Sequence, residues 1–262
     1  MFAFPQVKTV LHRQHTRVSP NQFTNVNINL NALKFVPGAV GTLAYGRVAA
    51  PSFLRADSTF GPVGTAAGLP PRVATENLHF NLQLPSGAKP ADGWPVARIE
   101  MGAAQNKEVL PTQLAAKLPE AGIATLTINP FARGFGPLGT STVTLLDNSA
   151  VTFLAGGRGR DVNGDGTLGA NEGTASIAPC QLLDRRDPTW QTVIDHVAVA
   201  RAVVELGAGR QGVASLIRCH GRPVGGDGPP PLFPHPQRFR GQLRRRPDGD
   251  DYVFLGHDLG SL

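Results

Sequence analysis

The sequence predicts an α/β fold in which a parallel sheet follows a β-rich N-terminal region. Two observations lead to this prediction. Residues 1–92 contain short apolar segments with a period of two, separated by Gly, Pro and Asn, as half-buried strands and their loops are. From Trp94 the pattern changes to strand, helix and strand, which is typical of βαβ units.

Two segments of the N-terminal region predict individual strands. Val26–Leu30 and Leu78–Leu84 both alternate apolar and polar residues, and the second segment is followed by Pro85. His79 lies within the second alternation, where we expect a structural histidine rather than a ligand. We therefore assign residues 1–92 to a β-rich region with long loops.

The following region, residues 93–207, predicts a partial α/β core. Residues 95–100 and 123–128 have the apolar character of strands, and residues 105–121 carry apolar side chains at helical spacing. Gly122 is a natural end for this predicted helix. A strand–helix–strand unit of this length is expected to place its two strands in parallel.

A second helix is predicted to begin at Asp187 and to end near Gly207. Asp187 is a favourable N-cap residue, and Pro188 suits the first helical position because that position needs no N–H donor. Apolar residues follow at helical spacing and predict one buried face. Asp195 and His196 are expected at the surface or the rim of this helix.

Between these elements, residues 161–172 match the twelve-residue calcium-loop pattern at every place. Calcium takes six to eight oxygen ligands, and alternating acidic and amide side chains can direct their oxygens to one point. Gly166 permits the sharp turn that the loop requires. A solvated turn rich in Asp and Gly is the alternative. The sequence favours a Ca²⁺ site whose ligands are Asp161, Asn163, Asp165, the backbone carbonyl of Thr167, and Glu172.

Composition and charge restrict the class of protein. The chain has 262 residues, a net charge of +6 and a pI near 9.9. No segment approaches the roughly 20 apolar residues of a membrane helix, and the N-terminus lacks the apolar stretch of a signal peptide. A nucleic-acid partner is not expected, because the basic excess comes largely from the tail and has no interleaved aromatic residues. The sequence predicts neither an oligomeric state nor a cellular location.

Residues 208–262 form an irregular tail that is rich in Arg, Pro and Gly. This composition is typical of a disordered insertion, and it is also what a shifted reading frame in a GC-rich gene produces. Cys180 and Cys219 are predicted either to form one disulfide or to remain free thiols.

The tail ends in a segment with the shape of a nucleophile elbow. A short apolar strand, residues 252–255, precedes Gly256–Gly260, which has the form G-x-S-x-G with Asp258 at the place of the serine. An aspartate at this place can form an ester intermediate that water then cleaves. The candidate catalytic residues are therefore Asp258, His257 and Ser261.

Several further segments point to one family. They are Leu33–Ala39, Leu84–Gly87, Gly93–Val96, Ala121–Thr125, Gly134–Leu138 and the calcium loop. Together these segments resemble a group of bacterial α/β-hydrolases that are described as extracellular lipases or virulence-factor-like esterases. The resemblance covers about residues 32–207. It implies an incomplete α/β-hydrolase-like parallel sheet, truncated at the elbow, with a Ser-His-acid site and ester or lactone substrates. Similar proteins are often secreted.

The chain departs from this group in its catalytic machinery. The loop after the first core strand carries Met101 and Gly102, where such proteins usually have a His-Gly pair near the oxyanion hole. The backbone N–H groups of Met101 and Gly102 are the candidate oxyanion donors. Asp258 stands where the elbow serine is usual, and no acid and histidine follow it in the usual order.

The predicted function is calcium-dependent hydrolysis of carboxylic esters or lactones, with acyl-homoserine lactones among the candidate substrates. Either Asp258 or Ser261 attacks the carbonyl with help from His257 or another histidine, or a calcium-bound water attacks it. The alternative is a non-catalytic calcium-binding protein or a truncated hydrolase remnant. An epoxide hydrolase or dehalogenase is a further alternative that depends on Asp258 alone.

Overall fold

The computed structural model describes residues 1–31, 38–62, 68, 70–90, 93–99, 106–109, 117–169, 181–209 and 217–218. Within these residues the fold is rich in strands, with ten strands and two helices. The strands are β1 (Phe2–Phe4), β2 (Val7–Val18), β3 (Asn21–Asn27), β4 (Val40–Ser52), β5 (Ala74–Pro85), β6 (Trp94–Arg98), β7 (Ala124–Ile128), β8 (Thr140–Leu145), β9 (Ala150–Leu154) and β10 (Ile217–Arg218). The helices are α1 (Lys117–Glu120) and α2 (Gln181–Gly209).

Two sheets organise the described part of the chain. The first is a mixed sheet of six strands in the order β1-β4-β5-β7-β6-β10. Its β1–β4, β4–β5 and β5–β7 pairs are antiparallel, whereas β6 pairs in parallel with β7 and with β10. The second sheet has the order β3-β2-β8-β9, and all of its pairs are antiparallel.

The predicted fold class, an incomplete α/β-hydrolase-like parallel sheet, is wrong. The described strands form one mixed and one antiparallel sheet, and helix is the minor component. Parallel neighbours need a long crossover connection, usually helical, whereas β4 and β5 are successive long strands that pair with each other along most of their length. The predicted division into residues 1–92, 93–207 and 208–262 stays a prediction.

Two apolar clusters hold these elements together. One lies between the mixed sheet and α2, where Val199 and Val203 of the helix pack against strand residues such as Leu82 and Leu126. The other joins the two sheets and contains Phe4, Val7, Val10, Ala39, Val40, Leu43, Tyr45 and Val143. Because strands of both sheets supply this second cluster, its burial fixes one sheet against the other.

The boundaries of both predicted helices differ from the structure. Residues 106–109 do not begin a helix, because the Asn106 side chain accepts the N–H groups of Glu108 (3.1 Å) and Val109 (2.9 Å) and forms a turn. The second helix begins at Gln181 and not at Asp187. Pro188 is therefore inside the helix. No helix in the described part of the chain is long and apolar enough to cross a membrane.

Candidate functional site

The predicted calcium loop follows β9, and the structure describes it from Asp161 to Gly169. Its backbone is fixed to the end of β2 by two hydrogen bonds. Val18 N–H donates to the carbonyl of Gly166 (2.9 Å), and Leu168 N–H donates to the carbonyl of Thr16 (2.8 Å). Leu168 is buried. A loop that is held in this way has fewer conformations to lose when it binds an ion.

Hydrogen bonds turn the polar side chains of this loop towards its own backbone. The carboxylate of Asp161 accepts the N–H groups of Gly164 (2.8 Å) and Gly166 (2.9 Å). Asn163 Oδ1 accepts the N–H of Asp165 (2.9 Å), and Asn163 Nδ2 donates to Asp165 Oδ2 (3.2 Å). Both glycines have left-handed backbone, with φ of 76° and 79°. Three predicted ligand side chains therefore share one turn.

The Asp165 carboxylate is exposed to solvent and is held in its ionised form. Its pKa is lowered, chiefly because the Thr167 N–H donates to it (2.6 Å), and Asn163 and the positive charge of Arg17 add smaller effects. Arg17 thus acts on the same carboxylate that a bound cation would contact. A cation at this loop would compete with the Arg17 guanidinium for the negative charge of Asp165.

The other predicted site residues lie outside the described residues. These are Glu172 of the calcium loop, the candidate oxyanion donors Met101 and Gly102, and the candidate catalytic residues His257, Asp258 and Ser261. Cys180 and Cys219 lie outside as well. Among the residues that the structure describes, no group of three or more His, Cys, Asp or Glu could hold a metal ion. The loop there contributes two carboxylates and one amide, and Ca²⁺ stays a prediction.

A cavity of about 530 Å³ lies beside the calcium loop, since Arg160 lines it and Asp161 follows directly in the chain. Its volume is within the range of about 300–1,000 Å³ that is usual for small-molecule sites. Apolar side chains on its wall include Leu54, Phe131 and Leu154. Polar side chains from other segments converge on it, among them Glu76, His79 and Arg158.

Among the described residues, Arg158 is the arginine of the cavity that pairs with two carboxylates. Its Nη1 donates to Asp195 Oδ2 (2.6 Å) and its Nη2 donates to Glu76 Oε2 (2.8 Å). The guanidinium also lies over the Phe131 ring, 5.3 Å from the centroid. Burial raises the pKa of Asp195, although Arg158 opposes this shift. Two carboxylates thus share the single positive charge of Arg158, and the group mainly holds together β5, α2 and the loop of residues 155–160, the cavity loop.

Arg160 is bound differently, because its partners are neutral. Nη1 donates to Ser58 Oγ (2.8 Å) and Nη2 donates to the carbonyl of Ala56 (2.8 Å). Within the described residues, the Arg160 guanidinium makes no ion pair with a carboxylate. Its carbon lies 5.8 Å from the centroid of the Phe131 ring. Arg160 is thus held in place, and no carboxylate of the described residues compensates its charge.

Glycines let the backbone of residues 155–160 form one wall of the cavity. Gly156 has a φ of 72°, and a Cβ atom there would overlap the His79 side chain. At Gly157 a Cβ atom would lie 2.5 Å from the carbonyl oxygen of Gly134. The N–H of Gly159 donates to the carbonyl of Phe135 (2.5 Å). Close contact between two backbone segments excludes larger residues at these positions.

Left-handed backbone also occurs at non-glycine residues near the cavity. Ser58, Ala132 and Phe135 have φ of 62°, 61° and 63°. Such conformations cost free energy and persist where the surrounding contacts determine them. Ser58 receives the Arg160 hydrogen bond, and Ala132 directly follows the lining residue Phe131. The backbone around the cavity therefore includes residues whose conformation costs free energy.

His79 is half-buried on the cavity wall. Its pKa is lowered, first by burial and then by the positive charges of Lys107 and Arg47. The imidazole is consequently neutral near pH 7. The sequence led us to expect a structural histidine, and it did not indicate that His79 faces a cavity.

Behind this wall lies a buried ion pair of Lys107 and Glu108. Their side chains are 2% and 3% exposed, and Lys107 Nζ contacts Glu108 Oε1. Lys107 Nζ also donates to the carbonyl of Ala155 (2.5 Å), and its backbone N–H donates to Asn129 Oδ1 (2.9 Å). Asn129 Nδ2 in turn donates to the carbonyl of Gly156 (3.2 Å). The pair thus anchors the start of the cavity loop.

Ser141, His12 and Glu108 form a serine–histidine–carboxylate arrangement that the sequence did not indicate. Ser141 Oγ lies 3.5 Å from His12 Nδ1, and His12 Nε2 lies 3.9 Å from Glu108 Oε2. Burial is the main reason that the pKa of His12 is lowered. Ser141 and His12 are each 1% exposed, so no substrate reaches the hydroxyl. The arrangement is therefore structural and not nucleophilic.

Two residues of α2 are more buried than the sequence suggested. Asp195 and His196, expected at the surface or rim, are 1% and 4% exposed. Asp195 pairs with Arg158, and Gln191 Nε2 donates to its other oxygen (2.7 Å). A local sequence signal for the cavity is the run Gly156–Arg160, which consists of three glycines and two arginines.

Comparison with known proteins finds no family model that matches this chain, and no similar curated protein or solved structure. A function for this chain therefore rests on the geometry of the loop and of the cavity.

Proposed function

We propose that the protein binds calcium through the loop of residues 161–172. One observation carries the proposal: Asp161, Asn163 and Asp165 are tied into a single turn by hydrogen bonds to the loop backbone. Each carboxylate retains acceptor capacity for a cation, because an ionised carboxylate offers about four lone-pair positions. The turn is exposed at Asn163 and Asp165, so an ion can enter from solvent.

The chemistry of these donors suits a hard cation. The carboxylate oxygens of Asp and the amide oxygen of Asn are donors that suit a hard cation such as Ca²⁺. The hydrogen bonds of the loop to β2 support the proposal further, because a turn that is already formed loses little entropy on binding. Glu172 is proposed to complete the coordination with two oxygens, in keeping with the motif.

Thermal melting in calcium and after chelation tests this proposal. Calcium at 100 times its Kd should stabilise the folded protein by about 2.7 kcal/mol and raise its melting temperature. Glu172→Ala should weaken calcium binding and reduce this stabilisation. A melting temperature that does not respond to calcium would refute the site.

A matched pair of variants separates ligand loss from a general change of charge. Asp165→Asn removes a proposed ligand charge, and we expect calcium affinity to fall by at least about tenfold, as for a lost charge-assisted contact. Asp147→Asn is the control, because Asp147 is also an exposed carboxylate that accepts a backbone N–H two residues ahead, from Ser149 (2.9 Å). Equal effects of the two variants on calcium affinity would contradict the proposal.

Hydrolysis of carboxylic esters or lactones is the second candidate function. The cavity favours it, because a space of about 530 Å³ with apolar and polar walls lies next in the chain to the proposed calcium loop. The proposed nucleophile remains Asp258 or Ser261, assisted by His257, with Met101 and Gly102 as oxyanion donors. A small-molecule ester or lactone is the proposed substrate.

A pH-stat measurement on a panel of esters and lactones distinguishes the two candidates. Turnover that disappears on chelation and returns with calcium would support a calcium-dependent hydrolase. Asp258→Ala and Ser261→Ala would then identify the nucleophile, because replacing the attacking residue should abolish turnover. Calcium binding without turnover would instead support a non-catalytic calcium-binding protein or a hydrolase remnant.

A further inference from the structure

We propose that the cavity beside the calcium loop binds an organic carboxylate with an alkyl chain, and that Arg160 receives the carboxylate group. This inference goes beyond calcium binding and does not depend on it. Three observations carry it: an uncompensated guanidinium at the cavity, apolar side chains on the same wall, and a rigid backbone that holds both.

The charges at the cavity assign the carboxylate to Arg160. Arg158 is already neutralised by Glu76 and Asp195. Arg55 also has an acidic partner, because its Nη2 lies 3.6 Å from Asp57 Oδ2. Arg160 donates only to neutral oxygens among the described residues. A guanidinium has five N–H donors, and these two hydrogen bonds leave donors for a ligand. Arginine is suited to a carboxylate because its donors match the two oxygens in a fork.

The ligand is expected to carry a single negative charge. The carboxylate of Glu76 also lines the cavity, so a dianion such as phosphate would meet one free cation and one anion. His79 adds no positive charge near pH 7, because burial lowers its pKa. Among the residues that the structure describes, the cavity therefore has one cation without a carboxylate partner, which favours a monoanion.

The apolar wall indicates the rest of the ligand. Leu54 and Phe131 are buried residues of one cluster, and Leu154 is 52% exposed at the cavity. An exposed leucine beside a charged group can cover part of an alkyl chain and remove it from water. A ligand with a carboxylate at one end and an alkyl chain at the other can contact both the Arg160 guanidinium and the apolar side chains of the cavity.

The site is held in place before a ligand arrives. Ser58 and Ala56 hold the Arg160 side chain, and the backbone beside it is packed closely against neighbouring segments at Gly156, Gly157 and Gly159. A side chain that is already restrained loses less entropy on binding. The guanidinium is consequently positioned for a ligand and does not have to be ordered by it.

Octanoate and octanamide are suitable probes, because they have equal chain length and differ in charge. We expect isothermal titration in calcium-free buffer to show octanoate binding that is at least about tenfold tighter than octanamide binding, as for a charge-assisted contact. Equal binding of the two probes, or no octanoate binding at millimolar concentration, would overturn the proposal. Calcium-free conditions keep the outcome separate from that of the calcium experiment.

Three variants locate the binding. R160Q should weaken octanoate binding by at least about tenfold. R72Q is the matched control and should leave it unchanged, because Arg72 is an exposed arginine whose partners among the described residues are also neutral oxygens, those of Ala74 and Thr75. E76Q should tighten binding by about two- to fivefold, since it removes the anion of the cavity. Equal losses in R160Q and R72Q would refute the assignment.

The E76Q variant keeps the test decisive if R160Q does not fold. Gln has the size of Glu and keeps a carbonyl oxygen that can accept the Arg158 hydrogen bond, so E76Q changes the charge at the cavity and retains this contact. Tighter octanoate binding by E76Q supports the site. Unchanged or weaker binding by a folded E76Q protein overturns it.

Discussion

Breaking the buried ion pair of Lys107 and Glu108 should destabilise the protein strongly, whereas removing both charges should not. The two side chains are 2% and 3% exposed, so each charge is stabilised by its partner and not by water. Removal of one partner from such a pair costs about 3–5 kcal/mol, because a charge is left buried and uncompensated. Lys107→Met and Glu108→Leu should each fall in this range. Total unfolding free energies are about 5–15 kcal/mol, so either change is severe.

The double variant has a different expected cost. Replacing a buried pair by apolar residues of similar volume is often close to neutral. Here one hydrogen bond is lost in addition, because Lys107 Nζ donates to the carbonyl of Ala155. A buried carbonyl without a partner costs about 1–3 kcal/mol. The double variant should therefore lose about 1–3 kcal/mol, far less than the sum of about 6–10 kcal/mol from the two single changes.

Urea unfolding measures these differences. Trp94 is 7% exposed and belongs to the core of the mixed sheet, so its fluorescence should report the loss of that core. The four proteins of the double-mutant cycle should share one m-value, which shows that they unfold from comparable states. A double variant that loses as much as the two single variants together would refute the reasoning. Lys107 and Glu108 would then act independently of each other.

Three further predictions concern packing, pH and calcium. Gly157→Ala should lower the unfolding free energy by about 1–3 kcal/mol, because its Cβ would lie 2.5 Å from a backbone oxygen of Gly134; a variant with parent-like stability in urea would contradict this. Burial lowers the pKa of His12 and of His79 below 6.5, so the unfolded chain takes up protons first as the pH falls. The free energy of unfolding should therefore fall from pH 7 to pH 5, by less than about 1.4 kcal/mol per pH unit for each histidine, and the urea midpoint should fall with it; a constant midpoint would oppose the assignment. Arg17→Gln should tighten calcium binding by about two- to fivefold in titration calorimetry, since its charge acts on the loop carboxylates, and weaker binding would exclude this effect.

Local sequence patterns predicted several strands. They did not predict the sheet class, because contacts between segments distant in sequence determine how the strands pair. The apolar segments predicted as strands at 95–100 and 123–128 overlap β6 (Trp94–Arg98) and β7 (Ala124–Ile128), and these two strands pair in parallel as expected. The alternation at Leu78–Leu84 lies within β5. The class of the whole sheet was wrong, because β4 and β5 pair with each other in antiparallel and add to the same sheet. Strand pairing depends on the partner that each strand meets, and a period of two does not identify that partner.

The helix boundary at Asp187 shows how one local signal can have two explanations. Asp followed by Pro is typical of a helix start, and it predicted one here. In the structure the Asp187 carboxylate instead accepts the N–H of Phe60 (2.8 Å), which is 127 residues away. The polar group that could have capped the helix therefore connects it to a loop beside the β4 strand. At this position a tertiary hydrogen bond outweighed the local preference for a helix start.

The cavity could not be predicted for the same reason, since its polar groups come from segments that are distant in sequence. Arg158 lies 82 residues from Glu76 and 37 residues from Asp195, and Arg160 lies 102 residues from Ser58. The calcium loop, in contrast, carries its whole proposed ligand set within residues 161–172, so a linear pattern was sufficient to indicate it. The two sites nevertheless meet at one peptide bond, between Arg160 and Asp161. The cation-binding and the anion-binding proposals can thus be tested on neighbouring residues of one loop, with probes of opposite charge.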